Sequence, residues 1–453
     1  MITTTPQNYI DIEKTFLSSF FDSLNRDGIK YMVLRNYQHL PESLNGSDLD
    51  IWVHKDDCQR FRNILTNDIL SSNHGTIVAR YGKKCERICI IYGQNGIYNG
   101  IQIDLHAGCF LHNGKNIADS EGIFFRRAYF NNIPIPSDID ICFISFFKEL
   151  LNNGSGGKTK DYFKSFVRTM TNDNIQPQEE EYKTIFGSKA WNYLKEISLG
   201  KDTPDFFKIS KKMRAGLFGS NLFWSIQKAL ETMKRLPRVI KPVGFDLIIS
   251  GTDGAGKTTL INEIQPALKN AFHNGFFYYH MFPGLFPTLS QLLKHKSKDS
   301  APVVNPHGGK PSGTLVSLFR MFYYSLDYVI GYWVKIYLCM IKKSSIHVFD
   351  RYCYDYLLDP QRAAINLPLM IRRAFVFFYP KPALFIYLTA SPQVIFERKP
   401  ELPIEEITRQ QDMMNVLKKR MKNVFLLNSD VSIAETVDHA MDIICKQMSC
   451  RIK

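Results

Sequence analysis

The sequence of 453 residues predicts an α/β protein in three parts, and three observations lead to this prediction. Between residues 243 and 453, short apolar runs alternate with helical spacing, which is typical of a parallel sheet covered by helices. Residues 1–170 combine helical spacing near the N-terminus with a hairpin pattern, which predicts an α+β domain. Residues 171–242 are basic and helical in spacing, and we predict that they link the other two parts.

Composition and length are those of a folded protein with more than one domain. Residues 1–7 lack the basic and apolar regions of a signal peptide. The nine cysteines are scattered without a C-x-x-C pair, a pattern that favours reduced thiols over a zinc site. We therefore expect a cytoplasmic protein.

Carboxylates with the spacing of metal ligands lie on predicted strands of the N-terminal part. Asp48 and Asp50 share one face of a strand that ends near Val53, because side chains alternate along a strand. Two further strands flank Asn95-Gly96, and the second strand contains Asp104. Three such carboxylates can hold hard divalent cations such as Mg²⁺, and the alternative is a set of surface aspartates without a ligand.

This part resembles the DNA polymerase β-type nucleotidyltransferase superfamily. The resemblance is found in residues 34–36 (Leu-Arg-Asn), in Asp48-Leu49-Asp50 and in Asp104. It implies that the three aspartates bind metal ions for nucleotidyl transfer from a nucleoside triphosphate. Gly46-Ser47 directly precedes Asp48, whereas the family has such a pair at the start of an earlier helix. An active and a catalytically weak domain are both compatible with this pattern.

Residues 201–241 contain ten lysines and arginines and three acidic residues, which accounts for half of the formal net charge of +14. The favoured interpretation is the solvated face of a linker helix. The alternative is a surface that contacts a membrane or an anionic polymer. A homodimer is a further hypothesis about partners.

A glycine-rich motif, residues 251–258, stands between a predicted strand at 245–250 and a predicted helix that starts near Thr259. The pattern G-x-x-x-x-G-K-T in this setting predicts a P-loop, whose backbone N–H groups bind phosphate oxygens. Lys257 would reach the β- and γ-phosphates, and Thr258 would hold Mg²⁺. The predicted nucleotide-binding residues are Gly251, Asp253, Gly254, Gly256, Lys257, Thr258 and Thr259.

Further strands are predicted at 276–280, 346–352, 383–388 and 424–427, with a loop at 294–313. Residues 321–341 have the length of a membrane span. Asp327 and Lys335 interrupt this stretch, however, and a charge is costly inside a bilayer. We therefore predict a buried helix within the C-terminal domain.

The C-terminal part resembles the thymidylate kinase branch of P-loop nucleoside monophosphate kinases. The resemblance is found in residues 252–259, in Asp350-Arg351-Tyr352 and in residues 391–398. It implies that the protein uses ATP and Mg²⁺, with Asp350 near the metal ion and the acceptor and Arg351 near an acceptor phosphate. By position, Arg398 and also Arg409 would contact the transferring phosphoryl group.

One segment departs from thymidylate kinases. Residues 280–284, His-Met-Phe-Pro-Gly, stand where that family has Arg-Glu-Pro-Gly-Gly. The resemblance therefore extends to kinase chemistry but not to thymidylate, and the small-molecule acceptor is open. Tyr278, Tyr279, Arg320 and Asp327 are candidates for its pocket, with the core of the domain as the alternative location.

The favoured function is an ATP-dependent phosphotransferase that acts on a nucleotide or another small acceptor and has an attached nucleotidyltransferase-like domain. The layout resembles two-domain thymidylate kinase-like proteins of bacterial surface-polysaccharide gene neighbourhoods. One alternative is a nucleotide-regulated interaction protein that docks on a membrane or an anionic polymer. Another is a nucleotidyltransferase with a regulatory P-loop domain.

Overall fold

The structure is a computed structural model that describes residues 6–82, 85–153, 157–171, 175–200, 204–287 and 313–452. The chain divides into two compact units. The first contains Met1–Gly75, Arg80–Ile90 and Ile101–Pro237, and the second contains Thr76–Ala79, Ile91–Gly100 and Arg238–Lys453. The loop predicted at 294–313 lies outside the described residues except for Gly313.

A five-stranded sheet contains the predicted strands of the N-terminal part. Its order is β1-β2-β5-β4-β3, with β1 antiparallel and β5 parallel to β2. The register pairs Asp50 of β2 with Asp104 of β5. The predicted strands and hairpin are confirmed. Their bounds are β1 Tyr31–Val33, β2 Leu49–Val53, β3 Thr76–Tyr81, β4 Cys85–Gln94 and β5 Ile97–Ala107.

Outside this sheet, the described residues up to 237 are mostly helical, with two short antiparallel strand pairs. The pairs are β6 Leu111–His112 with β7 Lys115–Asn116, and β8 Ala128–Phe130 with β9 Ile133–Ile135. The helices are α1 Pro6–Arg26, α2 Cys58–Ile64, α3 Leu70–Ser72, α4 Ser120–Phe125, α5 Asp138–Asn153, α6 Gly157–Met170, α7 Gln176–Phe186, α8 Ser188–Ser198, α9 Phe206–Phe218 and α10 Asn221–Met233.

An aromatic core holds these helices together. Phe147 of α5 stacks on Tyr182 of α7 at 4.7 Å between ring centroids, and Trp191 of α8 belongs to the same cluster. The sequence predicted a separate linker from residue 171 onward. The structure instead packs α7, α8 and α9 against α5 and α6, because their apolar faces are large enough to be buried. By contrast, all residues of α10 are described, and none of them is buried.

The second unit contains a five-stranded parallel sheet of order β11-β12-β10-β13-β14. The predicted parallel sheet is therefore confirmed. Its strands are β10 Phe245–Gly251, β11 Phe276–His280, β12 Ile346–Asp350, β13 Leu384–Thr389 and β14 Val424–Asn428. Its helices are α11 Lys257–Phe272, α12 Thr314–Leu326, α13 Leu338–Lys342, α14 Asp355–Leu358, α15 Leu369–Phe377, α16 Pro392–Arg398, α17 Ile404–Lys418 and α18 Ile433–Ser449.

The apolar stretch near residue 330 is helical, and a π-helical segment, Asp327–Tyr337, joins α12 to α13. Tyr328, Tyr332 and Ile336 are buried at intervals of four residues, whereas Trp333 and Val334 are about half exposed. The predicted helix is present, but only one of its faces lies in the core. Among the helices that the structure describes, none has both the length and the apolar character needed to cross a bilayer.

Candidate functional site

The glycine-rich motif forms the turn between β10 and α11. Gly254 and Gly256 have φ angles of +89° and +90°, a backbone region that favours glycine. A Cβ atom at Gly254 would lie 2.8 Å from the carbonyl oxygen of Ile395, so a larger residue does not fit there. Because α11 begins at Lys257, the unpaired N–H groups at its N-terminus lie at this turn, as in sites that bind phosphate.

A cavity of about 590 Å³ lies beside this turn, a size typical of small-molecule sites. The sequence predicted phosphate-binding, catalytic and metal-binding residues in the C-terminal domain, and all of them except Gly251 and Arg409 line this cavity. These residues are Asp253, Gly254, Gly256, Lys257, Thr258, Thr259, Asp350, Arg351 and Arg398. The lining residues that were not predicted include His280, Arg362, Lys399, Ser429, Val431, Ile433 and Val437.

Lys257 is buried and lines the cavity. Its Nζ atom donates to the carbonyl oxygens of Gly251 and Thr252, each at 2.9 Å, and lies 3.4 Å from Oδ1 of Asp253. Burial and the charge of Arg351 lower the pKa of Lys257 to about 8. The ammonium group is therefore close to losing its proton at mildly alkaline pH.

We expect ATP to bind more weakly as the pH rises through about 8. In the folded protein the pKa of Lys257 lies below that of a free lysine. Its side chain is therefore charged below about pH 8 and neutral above it. If only the ammonium form binds phosphate, affinity at about pH 9 should be about tenfold lower than at about pH 7. Titration calorimetry across this range measures the dissociation constant.

The matched control is Lys257→Arg, because a guanidinium group keeps its proton throughout this range. Its ATP affinity should not depend on pH. A wild-type dissociation constant that stays unchanged above pH 8 would contradict the role assigned to the ammonium group.

Asp253 is the centre of an ion-pair network in the P-loop. Arg351 donates to Oδ1 of Asp253 at 2.6 Å and to Oδ2 of Asp355 at 2.7 Å, and Arg362 also pairs with Asp253. Burial alone would raise the pKa of Asp253. The charges of Arg351, Lys257 and Arg362 outweigh burial and hold this pKa well below its ordinary value. Arg351 is buried and has a φ of +70°, a strained conformation of the kind found at functional sites.

Asp350 ends β12 and has one carboxylate oxygen that is suited to a metal ion. Its Oδ2 accepts a hydrogen bond from Tyr278 at 3.1 Å, whereas its buried Oδ1 has no hydrogen-bond partner among the described residues. Burial tends to raise the pKa of Asp350, but His280, Lys257 and Arg351 outweigh this effect and lower it. Thr258 lines the same cavity, so this pair fits Mg²⁺, which prefers oxygen ligands.

The two arginines predicted to contact the transferring phosphoryl group differ in position. Arg398 ends α16, lines the cavity and donates to the carbonyl oxygen of Ser429 at 3.0 Å. Arg409 donates instead to Glu406 and to the carbonyl oxygen of Leu358, and it is not among the lining residues.

The four candidates for the acceptor pocket have different contacts. Tyr278 contacts Asp350, while the ring of Tyr279 stacks on Phe349. Arg320 donates to two carbonyl oxygens, and buried Asp327 accepts hydrogen bonds from three backbone N–H groups at residues 284–286. Only Tyr278 therefore contacts a predicted site residue through its polar group.

The three aspartates of the first unit lie together as predicted. One carboxylate oxygen from each of Asp48, Asp50 and Asp104 lies within 4.8 Å of the others. Arg35 pairs with Asp48 and Asp50, and Arg87 donates to both oxygens of Asp104 at 2.7 and 2.8 Å. Burial raises the pKa of Asp50 despite the charge of Arg35. A divalent cation in this cluster would compete with two guanidinium groups.

His280 is a cavity residue that the sequence reasoning did not select. It is the last residue of β11, and the parallel register pairs it with Asp350 at the end of β12. His280 ended the strand predicted at 276–280, and Asp350 lay within the strand predicted at 346–352. The sequence did not show, however, that these two strands are neighbours in the sheet.

Comparisons with known proteins find similarity at the level of structure. No family model matches the chain, and neither does a curated protein. The chain is similar to thymidylate kinase from Ehrlichia chaffeensis, with 14% identity and a TM-score of 0.30, over 44% of this chain and 97% of that one. It is also similar to thymidylate kinase from Candida albicans, with 16% identity and a TM-score of 0.34, over 46% of this chain and 93% of that one.

Proposed function

We propose that the C-terminal part of this chain is an ATP-dependent phosphotransferase that acts on a small molecule. The observation that supports this most strongly is a cavity lined by the P-loop, by buried Lys257 and by Asp350, whose Oδ1 has no hydrogen-bond partner in the described part of the chain. The apolar side chains of Val431 and Ile433 line the same cavity and are suited to a nucleobase.

The charges and positions of the cavity residues suggest a role for each of them in phosphoryl transfer. Lys257 would exchange its two carbonyl contacts for phosphate oxygens, and Arg398 would offset charge on the transferring phosphoryl group. Thr258 and Asp350 would hold Mg²⁺, which when bound neutralises charge between the phosphates. The Asp253 network keeps the turn in a fixed conformation while phosphate binds.

Phosphoryl transfer to an acceptor under single-turnover conditions tests this function. The full chain is mixed with Mg²⁺, ATP radiolabelled in the γ-phosphate and a panel of nucleosides, nucleotides, sugars and sugar phosphates. Sugars are included because of the resemblance to proteins of surface-polysaccharide gene neighbourhoods. Label on an acceptor supports the kinase. Label that appears only as inorganic phosphate supports the nucleotide-regulated interaction protein instead.

A second candidate function is nucleotidyl transfer by the N-terminal domain. The cluster of Asp48, Asp50 and Asp104 supports it, because three converging carboxylates can bind the metal ions of such a reaction. A phosphate formed in the kinase domain would then be an acceptor for a nucleotide. If the P-loop domain were only regulatory, variants of these aspartates would lose all activity of the chain.

We further propose that α10 docks on an anionic lipid surface. Leu222, Ile226, Leu230 and Met233 share one helical face and are 45–70% exposed. The stretch 204–237 has seven basic and two acidic residues, which complements anionic headgroups. A free anionic polymer would leave the apolar face in water. A cytoplasmic location fits the nine reduced cysteines and the anionic inner leaflet.

We expect the double variant Leu222→Glu/Ile226→Glu to lose binding to vesicles that contain phosphatidylserine. Two charged side chains on the apolar face should lower the bound fraction by about tenfold or more in a sedimentation assay. The control is the double variant Ser225→Glu/Thr232→Glu. It adds the same two negative charges to the same helix, but at exposed polar positions instead of on the apolar face. Equal binding of both variants would contradict lipid docking. Light scattering of these samples would also test the homodimer, which stays a prediction.

A further inference from the structure

The hairpin of residues 91–100 belongs to the second unit, although it is distant in sequence from the P-loop and its helix. Its turn, Asn95-Gly96, joins β4 to β5, and the two turn residues have φ angles of +56° and +76°. Positive angles at both positions are typical of a tight two-residue turn. The hairpin therefore ends in a narrow tip with a glycine, which can approach a helix closely.

The tip of the hairpin packs against the first two turns of α18. A Cβ atom at Gly96 would lie 2.7 Å from the Cα and Cβ atoms of Ala434, so a side chain does not fit there. Oδ1 of Asp438 accepts hydrogen bonds from the N–H of Gly96 and from the hydroxyl of buried Tyr98, each at 2.8 Å. Hydrogen bonds to an ionised carboxylate are among the stronger ones in proteins. This carboxylate therefore holds α18 against the hairpin.

The same two turns of α18 also contribute to the cavity that contains Lys257. Ile433, Thr436 and Val437 line it. With about 3.6 residues per helical turn, these three side chains lie on a different face of α18 from Ala434 and Asp438. One face of the helix therefore contacts the hairpin, while the other carries apolar side chains suited to a nucleobase.

The hairpin contacts α11 as well, but farther from the cavity. A Cβ atom at Gly100 would lie 2.2 Å from the carbonyl oxygen of Ala267, and Asn270 donates to Oδ1 of buried Asn99 at 2.7 Å. At about 1.5 Å per residue, these contacts lie about 15 Å or more along α11 from Lys257. The hairpin therefore acts more directly on the base side of the cavity than on the phosphate side.

We propose that Tyr98 and Asp438 are positioning residues for the nucleobase of ATP, so that the hairpin completes the nucleotide site of the kinase. This inference rests on the proposed kinase function. Tyr98 and the N–H of Gly96 hold Asp438, which fixes the turns of α18 that carry Ile433 and Val437. The phosphates of the nucleotide bind instead at the P-loop, away from the hairpin contacts.

The test compares ATP with inorganic tripolyphosphate, which has the phosphates without the base. In titration calorimetry of the full chain with Mg²⁺, Asp438→Ala should weaken ATP binding by about tenfold, because both hydrogen bonds to the hairpin are lost. The same variant should bind tripolyphosphate within about twofold of the wild type. Tyr98→Phe, which removes one of the two hydrogen bonds, should weaken ATP binding by a smaller factor.

Two further variants separate positioning from a general loss of structure. Asp438→Asn keeps an oxygen that can accept both hydrogen bonds, so it should restore most of the ATP affinity. Asp442→Ala is the control, because Asp442 is exposed on the next turn of α18 and does not line the cavity. Its ATP affinity should equal that of the wild type.

The outcomes distinguish this inference from the kinase function on which it rests. Unchanged ATP binding in Asp438→Ala, or an equal loss of ATP and tripolyphosphate binding, would overturn the positioning role while the kinase function stands. If the wild type binds neither ligand, or if Lys257→Ala binds both as tightly as the wild type does, the kinase function itself fails.

Discussion

Lys257→Ala is expected to lower ATP-dependent phosphoryl transfer by about 10³-fold, the largest effect among the changes considered. Phosphoryl transfer depends on positioned cations, and removal of a single donor to developing charge costs about 10²–10³ in rate. Lys257 is the buried cation of the P-loop, with both of its carbonyl partners in the turn that would hold phosphate. Single-turnover transfer from ATP radiolabelled in the γ-phosphate measures the loss.

Lys269→Ala is the matched control for this experiment. Lys269 lies on the same helix, is exposed and stacks its ammonium group over the ring of Phe276. Its rate should stay within about twofold of the wild type. The Lys257 variant should also remain folded, because Asp253 keeps Arg351 and Arg362 as partners. A Lys257→Ala rate close to that of the wild type would reject the proposed site.

Asp50→Asn is expected to abolish Mn²⁺ binding by the first unit, and Asp104→Asn should have the same effect. Each change removes a charged oxygen from a cluster that has three carboxylates. Arg35→Ala should act in the opposite direction and tighten binding by about tenfold, since it removes a cation that competes for Asp48 and Asp50. Electron paramagnetic resonance of free Mn²⁺ measures all three variants.

Mn²⁺ bound at the proposed kinase site of the second unit would add to the signal, so all variants are made in a protein that lacks that site. Asp350→Asn supplies it, because Asp350 is the carboxylate proposed for Mg²⁺ in the kinase site. Asp68→Asn is the control, as Asp68 is exposed and lies outside the cluster. If Asp50→Asn binds Mn²⁺ as tightly as Asp68→Asn does, the cluster is not a metal site. Nucleotidyl transfer from a triphosphate labelled in the α-phosphate should be lost in parallel.

The parts of the fold that local sequence determines could be predicted. All five strands of the parallel sheet were predicted from apolar runs. The P-loop between β10 and α11 was predicted from the spacing of its glycines and Lys257. The shared strand face of Asp48 and Asp50 followed from side-chain alternation. These signals depend on residues close together in the chain.

Contacts between distant segments could not be predicted in the same way. Nothing in the sequence pairs β11 with β12, so the contact between His280 and Asp350 emerged only from the sheet order. Arg87 lies 17 residues before Asp104, and their ion pair depends on the register of β4 and β5. The packing of α7 and α8 into the aromatic core likewise depends on neighbours that helical spacing alone does not identify.

The two ion pairs of Arg351 have a consequence for how ATP and the acceptor affect each other's binding. One end of its guanidinium group holds Asp253 in the turn after β10, and the other holds Asp355 at the start of α14, after β12. A ligand that changes the contacts of Asp253 therefore also changes the restraint on Asp355. Thermodynamic linkage requires any such effect to be reciprocal, so ATP and the acceptor should alter each other's affinity by the same factor.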